Sequence, residues 1–301
     1  MARSTLYIRW EYRSVVSNLL KLLEPNRTDL TAVPGVANCF PPVSTLVLNP
    51  EQLPQRLQAV GWQHPVYLRG APLGDRPAVA IVGARAASRI AMDRAHALAR
   101  HLAQRGVHVV SGGALGIDGA AHRGALAGRG ATTVVLGSGV DVLYPVRHAP
   151  LFSEVLARGG SLAGMLPDGT QPRAGTFPQR NRLIAALADA VIVVEADVRS
   201  GSLSTAAAGR RFGRIVGAVP GSRGCERLLA AGAAVIETES DAELALAGTP
   251  RHRAPSAIDP ITQKVRDAIA NGAAGIDQIV RQTGLTVRVV LRALPMIERM
   301  Q

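Results

Sequence analysis

The sequence predicts an α/β protein with a parallel sheet, helices on both faces of that sheet, and a small helical module at the C-terminus. Short aliphatic runs alternate with amphipathic stretches of helical length from position 77 to position 246. Most of these runs are followed at once by a glycine-rich turn, and in a parallel sheet such turns collect at the carboxyl ends of the strands. We therefore predict an extended Rossmann-like domain.

The strands are predicted from continuous aliphatic residues, a pattern typical of strands that are buried on both faces. They cover 78–82, 107–110, 132–136, 161–165, 190–195, 215–219 and 233–236. The helices between them are predicted over 90–104, from 116 onward, and over 148–158, 179–187, 203–212 and 226–231. Residues 167–178 are rich in Pro and Gly and are predicted to form a loop.

The chain divides into four predicted segments. Residues 1–76 form an N-terminal lead-in, with a short amphipathic helix near 14–23, a small helix at 53–60 and a strand at 65–70. The Rossmann-like domain follows over 77–246, a proline-containing linker over 247–260, and a helical module over 261–301.

Composition narrows the class of protein. The formal net charge of +12 favours polyanionic partners, nucleic acid above all. Two cysteines, Cys39 and Cys225, cannot form a disulfide framework and suit a reducing compartment. No apolar run reaches the roughly 18 residues of a membrane span, and charged residues interrupt the N-terminal stretch where a signal peptide would need an apolar core. We expect a cytoplasmic protein without a membrane partner.

The turn after the second predicted strand is the main candidate for an anion site. It reads Ser111-Gly112-Gly113 and leads into a helix that begins near Gly116. A glycine-rich turn before a helix N-terminus presents backbone N–H groups that have no partner within the helix. Ordinary strand-to-helix turns have the same composition, so both interpretations stay open at this point.

Asp118 and His122 are four positions apart and share one face of that helix. Such a pair suits acid–base chemistry or metal ligation, or a structural role in which Asp118 caps the turn and His122 hydrogen-bonds to Asp118. Because no cluster of further Cys, His or Asp accompanies them, we expect structural support, with no metal and no catalytic residue.

Two common phosphate-binding schemes are absent. Gly137 and Gly139 follow the third strand, but position 142 is Val, so the G-x-G-x-x-G fingerprint is incomplete. Neither Lys21 nor Lys264 lies in the main domain, which excludes a P-loop lysine there. We expect no cofactor.

Arginines gather instead at the predicted carboxyl edge of the sheet. Each lies just beyond a strand or at the start of a helix, where it would share one edge with the turns at Ser111, Gly137 and Ser200. The planar guanidinium fork suits phosphate oxygens. Phe177 lies at the same edge, where it either stacks on a base or packs the loop. The arginines are Arg85, Arg180, Arg182 and Arg199.

Six segments, in unbroken order over about 53–240, resemble the DNA-processing protein A (DprA/Smf) family. They read AIVGAR at 80–85, SGGALGIDGAAHRGAL at 111–126, VLGSGVDVLYP at 135–145, FPQRNRLIAALADAVIVVEA at 177–196, RSGSLSTA at 199–206 and AVPGSRGCERLLAAGA at 218–233. The resemblance implies a homodimeric, non-enzymatic protein that binds single-stranded DNA (ssDNA). It also implies a role in natural transformation, in which the protein protects incoming strands and loads the RecA recombinase.

The resemblance also implies where ssDNA binds. Transferred motif by motif, the site comprises Gly83, Arg85, Ser111, Gly112, Gly113, Phe177, Arg180, Asn181 and Arg182, and it is completed by Arg199, Ser200, Gly201 and Ser202. This sequence departs from the family pattern at Ala84, where the family has Ser, and at Leu115, where a basic residue is usual. Glu226 replaces a common Asn. The Leu115 exchange removes a positive contact.

An enzymatic alternative is the LOG-like nucleoside-monophosphate phosphoribohydrolase group, which shares this fold. Its P-G-G-x-G-T-x-x-E signature would fall near 199–205, where no Pro-Gly-Gly occurs. Alanines at 206–208 stand where a catalytic Glu is needed. Glu195, which closes the preceding strand, is the carboxylate that would have to substitute.

The C-terminal module is predicted to contain three helices, over 261–270, 275–283 and 287–300. Residues 278–286 resemble a helix-turn-helix with Gly284 at the turn, and Arg288 and Arg292 lie on the second helix. The resemblance is to the winged-helix domain of many family members, here truncated before a β-wing. Protein contact, DNA contact and simple three-helix packing all remain open.

Overall fold

The computed structural model describes residues 44–253 and 260–298. These residues form two compact units, divided between His252 and Arg253. The helix predicted near 14–23 lies outside the described residues.

The first unit contains one sheet of nine strands, in the order β1-β2-β6-β5-β4-β3-β7-β8-β9. Strands β3 to β9 pair parallel with one another, whereas β2 pairs antiparallel with both β1 and β6. The strands are β1 Leu46–Leu48, β2 Val66–Gly70, β3 Ala78–Val82, β4 His108–Ser111, β5 Thr132–Val135, β6 Ser161–Gly164, β7 Ala190–Val193, β8 Ile215–Ala218 and β9 Ala234–Val235.

The predicted parallel sheet with helices on both faces is found in β3 to β9. One prediction is corrected, because residues 65–70 were assigned to a lead-in and form part of the main sheet. Strand β2 instead extends the sheet beyond β6, with Leu68 opposite Ala163. Strand β1 was not predicted, because it is three residues long and mostly exposed.

Helices cover both faces of the sheet, as predicted. In the first unit they are α1 Gln55–Ala59, α2 Arg89–Gln104, α3 Ile117–Ala127, α4 Ala149–Ala157, α5 Thr176–Ala186, α6 Ser202–Arg211, α7 Arg223–Ala230 and α8 Glu239–Leu246. Short 3-10 turns cover Pro50–Gln52 and Val146–His148.

The central strand β3 shows why its sequence is continuously aliphatic. Ala80 and Val82 pack into the core beneath α5 and α6, whereas Val79 and Ile81 pack into the core beneath α2 and α3. Successive side chains of a strand point to opposite faces, so a strand between two helical layers needs apolar residues at every position. The chain runs outward from β3 through β4 and β5, and later through β7 and β8 on the other side. The switch in strand order therefore lies between β3 and β7, where ligands of such sheets bind.

Helix α8 was not predicted, although its start signal is present in the sequence. Thr238 and Asp241 form a capping box, in which each side chain accepts a hydrogen bond from the other residue's backbone N–H. Asp241 also accepts from Nε of Arg251 at 3.1 Å. His252 bridges to Ala234 of β9, so the first residues of the predicted linker are anchored to the first unit.

In the second unit, helices α9 Pro260–Ala270, α10 Ile276–Thr283 and α11 Val287–Glu298 pack around their own apolar core. Gly284 ends α10 in the left-handed conformation at φ 69°, as expected for a glycine at this position. Across 260–298, the structure contains these three helices and no strand. No helix among the described residues is long and apolar enough to cross a bilayer.

We expect Thr238→Ala to lower the free energy of unfolding by about 1 kcal/mol, because the first turn of α8 loses its cap. Thr238→Ser keeps the hydroxyl and is the matched control. Urea denaturation followed by circular dichroism measures both. Equal stability of the two variants would contradict the role of the cap.

Candidate nucleic-acid interface

The turns at the carboxyl edge of the sheet are joined to one another by backbone hydrogen bonds. The N–H of Ala84, after β3, donates to the carbonyl of Glu195, after β7, at 2.7 Å. The N–H of Ile117, at the start of α3, donates to the carbonyl of Ala84 at 3.2 Å. Gly83 lies at the end of β3, beside this junction. The edge is therefore continuous across the switch point.

A cavity of about 120 Å³ opens at this edge. Its walls combine apolar side chains, glycine backbone and two guanidinium groups. The lining residues are Arg85, Gly112, Ala114, Leu115, Gly137, Tyr144, Pro145, Phe177 and Arg180.

Phe177 lies at the centre of the cationic and aromatic groups in this cavity. The guanidinium carbon of Arg85 lies 5.1 Å from the ring centroid and that of Arg180 lies 5.6 Å away, both within cation–π range. The ring of Tyr144 is 6.0 Å away, centroid to centroid. Arg85 is exposed and makes no hydrogen bond or ion pair with the described residues. Tyr144 belongs to one of the family motifs but was not among the residues predicted for the site.

Helix α5 begins three residues earlier than predicted, and this shift positions Phe177. The helix starts at Thr176, which places Pro178 in the first turn, where a missing N–H costs nothing. Thr176 Oγ1 donates to the carbonyl of Gly137 at 2.5 Å. This bond ties the helix start to the turn after β5.

Arg180 is nearly enclosed, with 6% of its surface exposed. Its Nη1 donates to the carbonyl of Gly112 and, at 2.9 Å, to that of Val135. A Cβ on Gly112 would overlap this guanidinium, at 1.9 Å from Nη1, so the close approach requires glycine. Nε is buried without a partner, whereas Nη2 has no bond to any described residue. Arg180 lines the cavity, and Nη2 is its one nitrogen that is neither bonded to a described residue nor buried without a partner.

Asp118 braces the turn after β4 from within. Its carboxylate accepts from the N–H groups of Gly112 at 3.1 Å and Ala114 at 3.4 Å. The Ser111 hydroxyl donates to the carbonyl of Ile81 at 2.6 Å and is fully buried. Asp118 therefore already occupies the N–H of Gly112, one of the groups that this turn was expected to present to an anion.

The charges of Asp118 and Arg180 are linked by burial. Burial raises the pKa of Asp118, and the Arg180 guanidinium and the amides of Ala114 and Gly112 oppose that rise. Burial likewise lowers the pKa of Arg180, and Asp118 opposes the change. Each group thus stabilises the charged form of the other, which makes the pair a structural unit.

His122 does not hydrogen-bond to Asp118, contrary to the prediction. Its Nδ1 lies 2.8 Å from the hydroxyl of Thr132, which itself donates to the carbonyl of Val109 at 2.6 Å. The hydroxyl must therefore accept, so Nδ1 carries the proton of a neutral ring. Burial, with smaller effects from His148 and nearby arginines, lowers the pKa of His122 to about 3.

The turn after β7 is held by a side chain of α5 and by its own serine hydroxyls. Asn181 Nδ2 donates to the carbonyl of Gly201 at 3.1 Å, and the hydroxyls of Ser200 and Ser202 are 2.8 Å apart. Arg199 is exposed at the same turn.

Arg182 lies elsewhere. Its guanidinium carbon is 6.0 Å from the ring of Trp62, a residue that does not line the cavity. Arg180 and Arg182 are two positions apart on α5, so they point to different sides of the helix. The structure does not bring Arg182 to the cavity.

The carboxylate that the hydrolase alternative requires is engaged in capping. Both carboxylate oxygens of Glu195 accept from the N–H of Ser88, at 3.1 and 3.3 Å, where α2 begins. Across the part of the chain that the structure describes, no group of His, Cys, Asp and Glu has the arrangement of a metal site.

We expect the buried neutral His122 to make the fold sensitive to acid. The unfolded chain takes up this proton near pH 6.5 and the folded chain only near pH 3, so stability is lost as pH falls between these values. From pH 7 to pH 5 the loss from this residue is about 2 kcal/mol. In His122→Asn, whose amide keeps the donor, that loss disappears.

Urea unfolding at both pH values measures this difference. His64→Asn removes an exposed histidine and is the control, with the pH dependence of the parent chain. If His122→Asn and the parent lose the same stability on acidification, the assignment of a neutral ring is wrong.

Comparison with known proteins agrees with this architecture. A model of the family "DNA recombination-mediator protein A" matches residues 44–246, and a model of the DprA winged helix domain matches 249–298. A putative DNA processing protein DprA from Mycobacterium tuberculosis is 43% identical over 237 residues, which cover 73% of this chain and 60% of the relative. Protein Smf from Escherichia coli is 36% identical over 72% of this chain and 54% of its own length. The chain thus spans less than two thirds of these curated relatives.

Two solved structures share the fold at 30% identity. DNA processing protein A from Streptococcus pneumoniae superposes with a TM-score of 0.62, over 70% of this chain and 76% of that one. The protein from Helicobacter pylori, described for its ssDNA binding mode, gives a TM-score of 0.60 over 69% and 97%. On the family model and the identities together, the chain belongs to the DNA recombination-mediator protein A (DprA/Smf) family.

Proposed function

We propose that this chain binds single-stranded DNA at the carboxyl edge of its sheet, without regard to base sequence, and that it does so as a binding protein rather than an enzyme. The observation that carries the proposal is the Phe177 cluster, in which an aromatic ring and two guanidinium groups line one open cavity. Aromatic faces accept any base by stacking, and arginines bind the phosphates that all strands share. The H. pylori relative, described with ssDNA, supports the same ligand.

The proposed role of each residue in ssDNA binding follows from the exposure of its side chain. Arg85 is exposed and unpaired among the described residues, so it is the main phosphate contact. Phe177 and Tyr144 offer ring surface for a base. Arg180 contributes its positive charge from the cavity wall. Its Nη1 donates to a backbone carbonyl of the protein, and its Nε is buried without a partner. On this proposal Arg199 and the Ser200–Ser202 turn extend the phosphate path beyond β7, and Ser111, Gly112, Gly113 and Gly137 shape the cavity.

Binding without catalysis agrees with the way the titratable groups are used. Asp118 accepts backbone N–H bonds, His122 is enclosed and neutral, and Glu195 caps α2. None of these three groups is positioned as an acid or base over the cavity. Release of free base from a nucleoside monophosphate by the purified chain would overturn this part of the proposal.

Arg85→Ala is expected to weaken ssDNA binding about tenfold or more, because it removes the exposed charge and its contact with the Phe177 ring. Phe177→Ala is expected to cost about 1 to 3 kcal/mol of binding free energy from lost stacking. Fluorescence anisotropy with labelled oligo-dT across salt concentrations measures both. The slope of log affinity against log salt should fall by about 0.7 for each lost phosphate contact.

Arg211→Ala is the matched control, since Arg211 is exposed in the last turn of α6, at the opposite edge of the sheet. Arg180 is a poorer target because its removal leaves Asp118 as an uncompensated buried charge. If Arg85→Ala and Phe177→Ala bind oligo-dT as tightly as Arg211→Ala does, the site assignment fails.

We further propose that the chain acts as a homodimer that protects ssDNA and delivers it to the RecA recombinase during transformation. Phosphate-based, sequence-independent binding supports this role, because such contacts can be handed over to a second protein that binds the same backbone. The chain is expected to accelerate RecA assembly on ssDNA coated with a single-strand-binding protein, and Arg85→Ala is expected not to. An equal rate of RecA assembly with and without the chain would contradict the role in loading. Analytical ultracentrifugation measures the mass of the particle in solution and so tests the proposed homodimer.

A further inference from the structure

A second group of basic side chains lies beside the cavity, on the side formed by α3 and residues 144–148. Arg123 on α3 and Arg147 in the 3-10 turn Val146–His148 are both exposed. Neither forms an ion pair or hydrogen bond with any described residue. His148, next to Arg147, is nearly buried. The proposed ssDNA path uses none of these three residues.

The side chains of His148 and Arg123 both lie close to Gly119 of α3. A Cβ on Gly119 would lie 2.8 Å from Nε2 of His148 and 3.2 Å from Nη1 of Arg123. The other ring nitrogen, Nδ1 of His148, lies 2.9 Å from the carbonyl of Gly113. A carbonyl only accepts, so Nδ1 donates and the ring orientation is set by the turn after β4. Nε2 is thereby presented next to the arginine.

The acidic residues around this cluster are engaged elsewhere. Glu154 pairs with Arg158 at 2.9 Å. Asp141 accepts from the N–H of Gly169 at 2.8 Å, and Asp118 is enclosed within the turn after β4. Neither Arg123 nor Arg147 forms an ion pair with any of these carboxylates.

Exposed apolar side chains connect the cluster to the cavity. Leu115 is 38% exposed, Tyr144 43% and Val146 49%. Leu115 and Tyr144 also line the cavity, and Val146 begins the 3-10 turn that carries Arg147. A strand that leaves the cavity over these residues keeps its bases on apolar surface and brings its phosphates toward the basic side chains.

We propose that Arg123, Arg147 and Nε2 of His148 form a second phosphate subsite, which holds a backbone phosphate of the same strand whose base occupies the Phe177 cavity. The inference rests on the proposed function. It defines a path for the bound strand, which runs from Arg85 through the cavity and across Leu115 and Tyr144 to α3. The positive contact that Leu115 does not supply is provided about two helical turns further on, by Arg123.

The subsite couples DNA binding to proton uptake. Because Nδ1 of His148 is committed to Gly113, Nε2 can donate to a phosphate only after the ring is protonated. Burial lowers the pKa of His148, as does Arg123, while the Gly113 carbonyl raises it. His122, the other titratable group beside this ring, stays neutral to about pH 3. Affinity is therefore expected to rise as pH falls below 6.5, where the His148 ring begins to take up a proton.

The test compares Arg123→Ala/Arg147→Ala, His148→Asn, Arg85→Ala and the control Arg211→Ala, with oligo-dT of 3 and 15 nucleotides as probes. The double variant is expected to bind the longer probe about tenfold more weakly, with a smaller salt slope, and the short probe as the parent does. His148→Asn keeps a donor toward Gly113 but lacks Nε2, so its affinity is expected not to rise between pH 7 and pH 5, where that of the parent chain rises. Circular dichroism confirms folding, and Arg123→Gln/Arg147→Gln replaces the alanine pair if that pair unfolds.

The outcomes separate this subsite from the proposed function. If Arg85→Ala weakens binding while the folded double variant matches Arg211→Ala, the subsite is overturned and the proposed function stands. If neither variant weakens binding, both fail. If the double variant loses the short and the long probe equally, the basic residues act on the cavity itself and the second subsite is overturned.

Discussion

The enclosed contact between the turn after β4 and helix α5 is the constraint on which the rest of the site depends. Asp118 accepts from the N–H of Gly112 while Arg180 donates to its carbonyl, so the two peptide groups that flank one residue are held by opposite charges. Each charge is costly to bury alone, and removal of either would leave the other uncompensated. Because Arg180 belongs to α5, the same contact fixes the helix whose first turn carries Phe177. Gly112 and Arg180 also line the cavity, so this contact contributes to the shape of the cavity.

This arrangement separates residues that build the site from residues that can bind a ligand, although both carry similar chemistry. Arg180 and Arg85 approach the same ring, yet one is enclosed and the other exposed. A phosphate needs donors that are not already satisfied, and a buried guanidinium that donates to carbonyls has few left. The proposed interface therefore depends on exposed arginines at the rim, while the buried polar groups maintain the geometry of the rim.

The distinction between satisfied and available polar groups also applies to the catalytic interpretation of Asp118 and His122, which the structure does not support. His122 and Asp118 share a helix face and are near in sequence, the arrangement that first suggested acid–base chemistry. Their partners are instead Thr132 and the turn amides. A histidine that stays neutral because it is enclosed adds acid sensitivity to the fold, and a carboxylate bonded to backbone N–H groups supports a turn.

The sequence by itself determined the alternation of strands and helices, the position of the glycine-rich turns and the edge on which they meet. These features depend on local periodicity and on residues that follow a strand directly, so they are readable from neighbouring positions. Only the tertiary structure decided which polar groups remain available. Arg180 and Gly112 are 68 positions apart, and no local pattern reports that they meet. The start of α5 and the antiparallel addition of β1 and β2 likewise depend on distant partners, because a hydrogen bond to Gly137 anchors Thr176 and strand pairing with β6 orients β2.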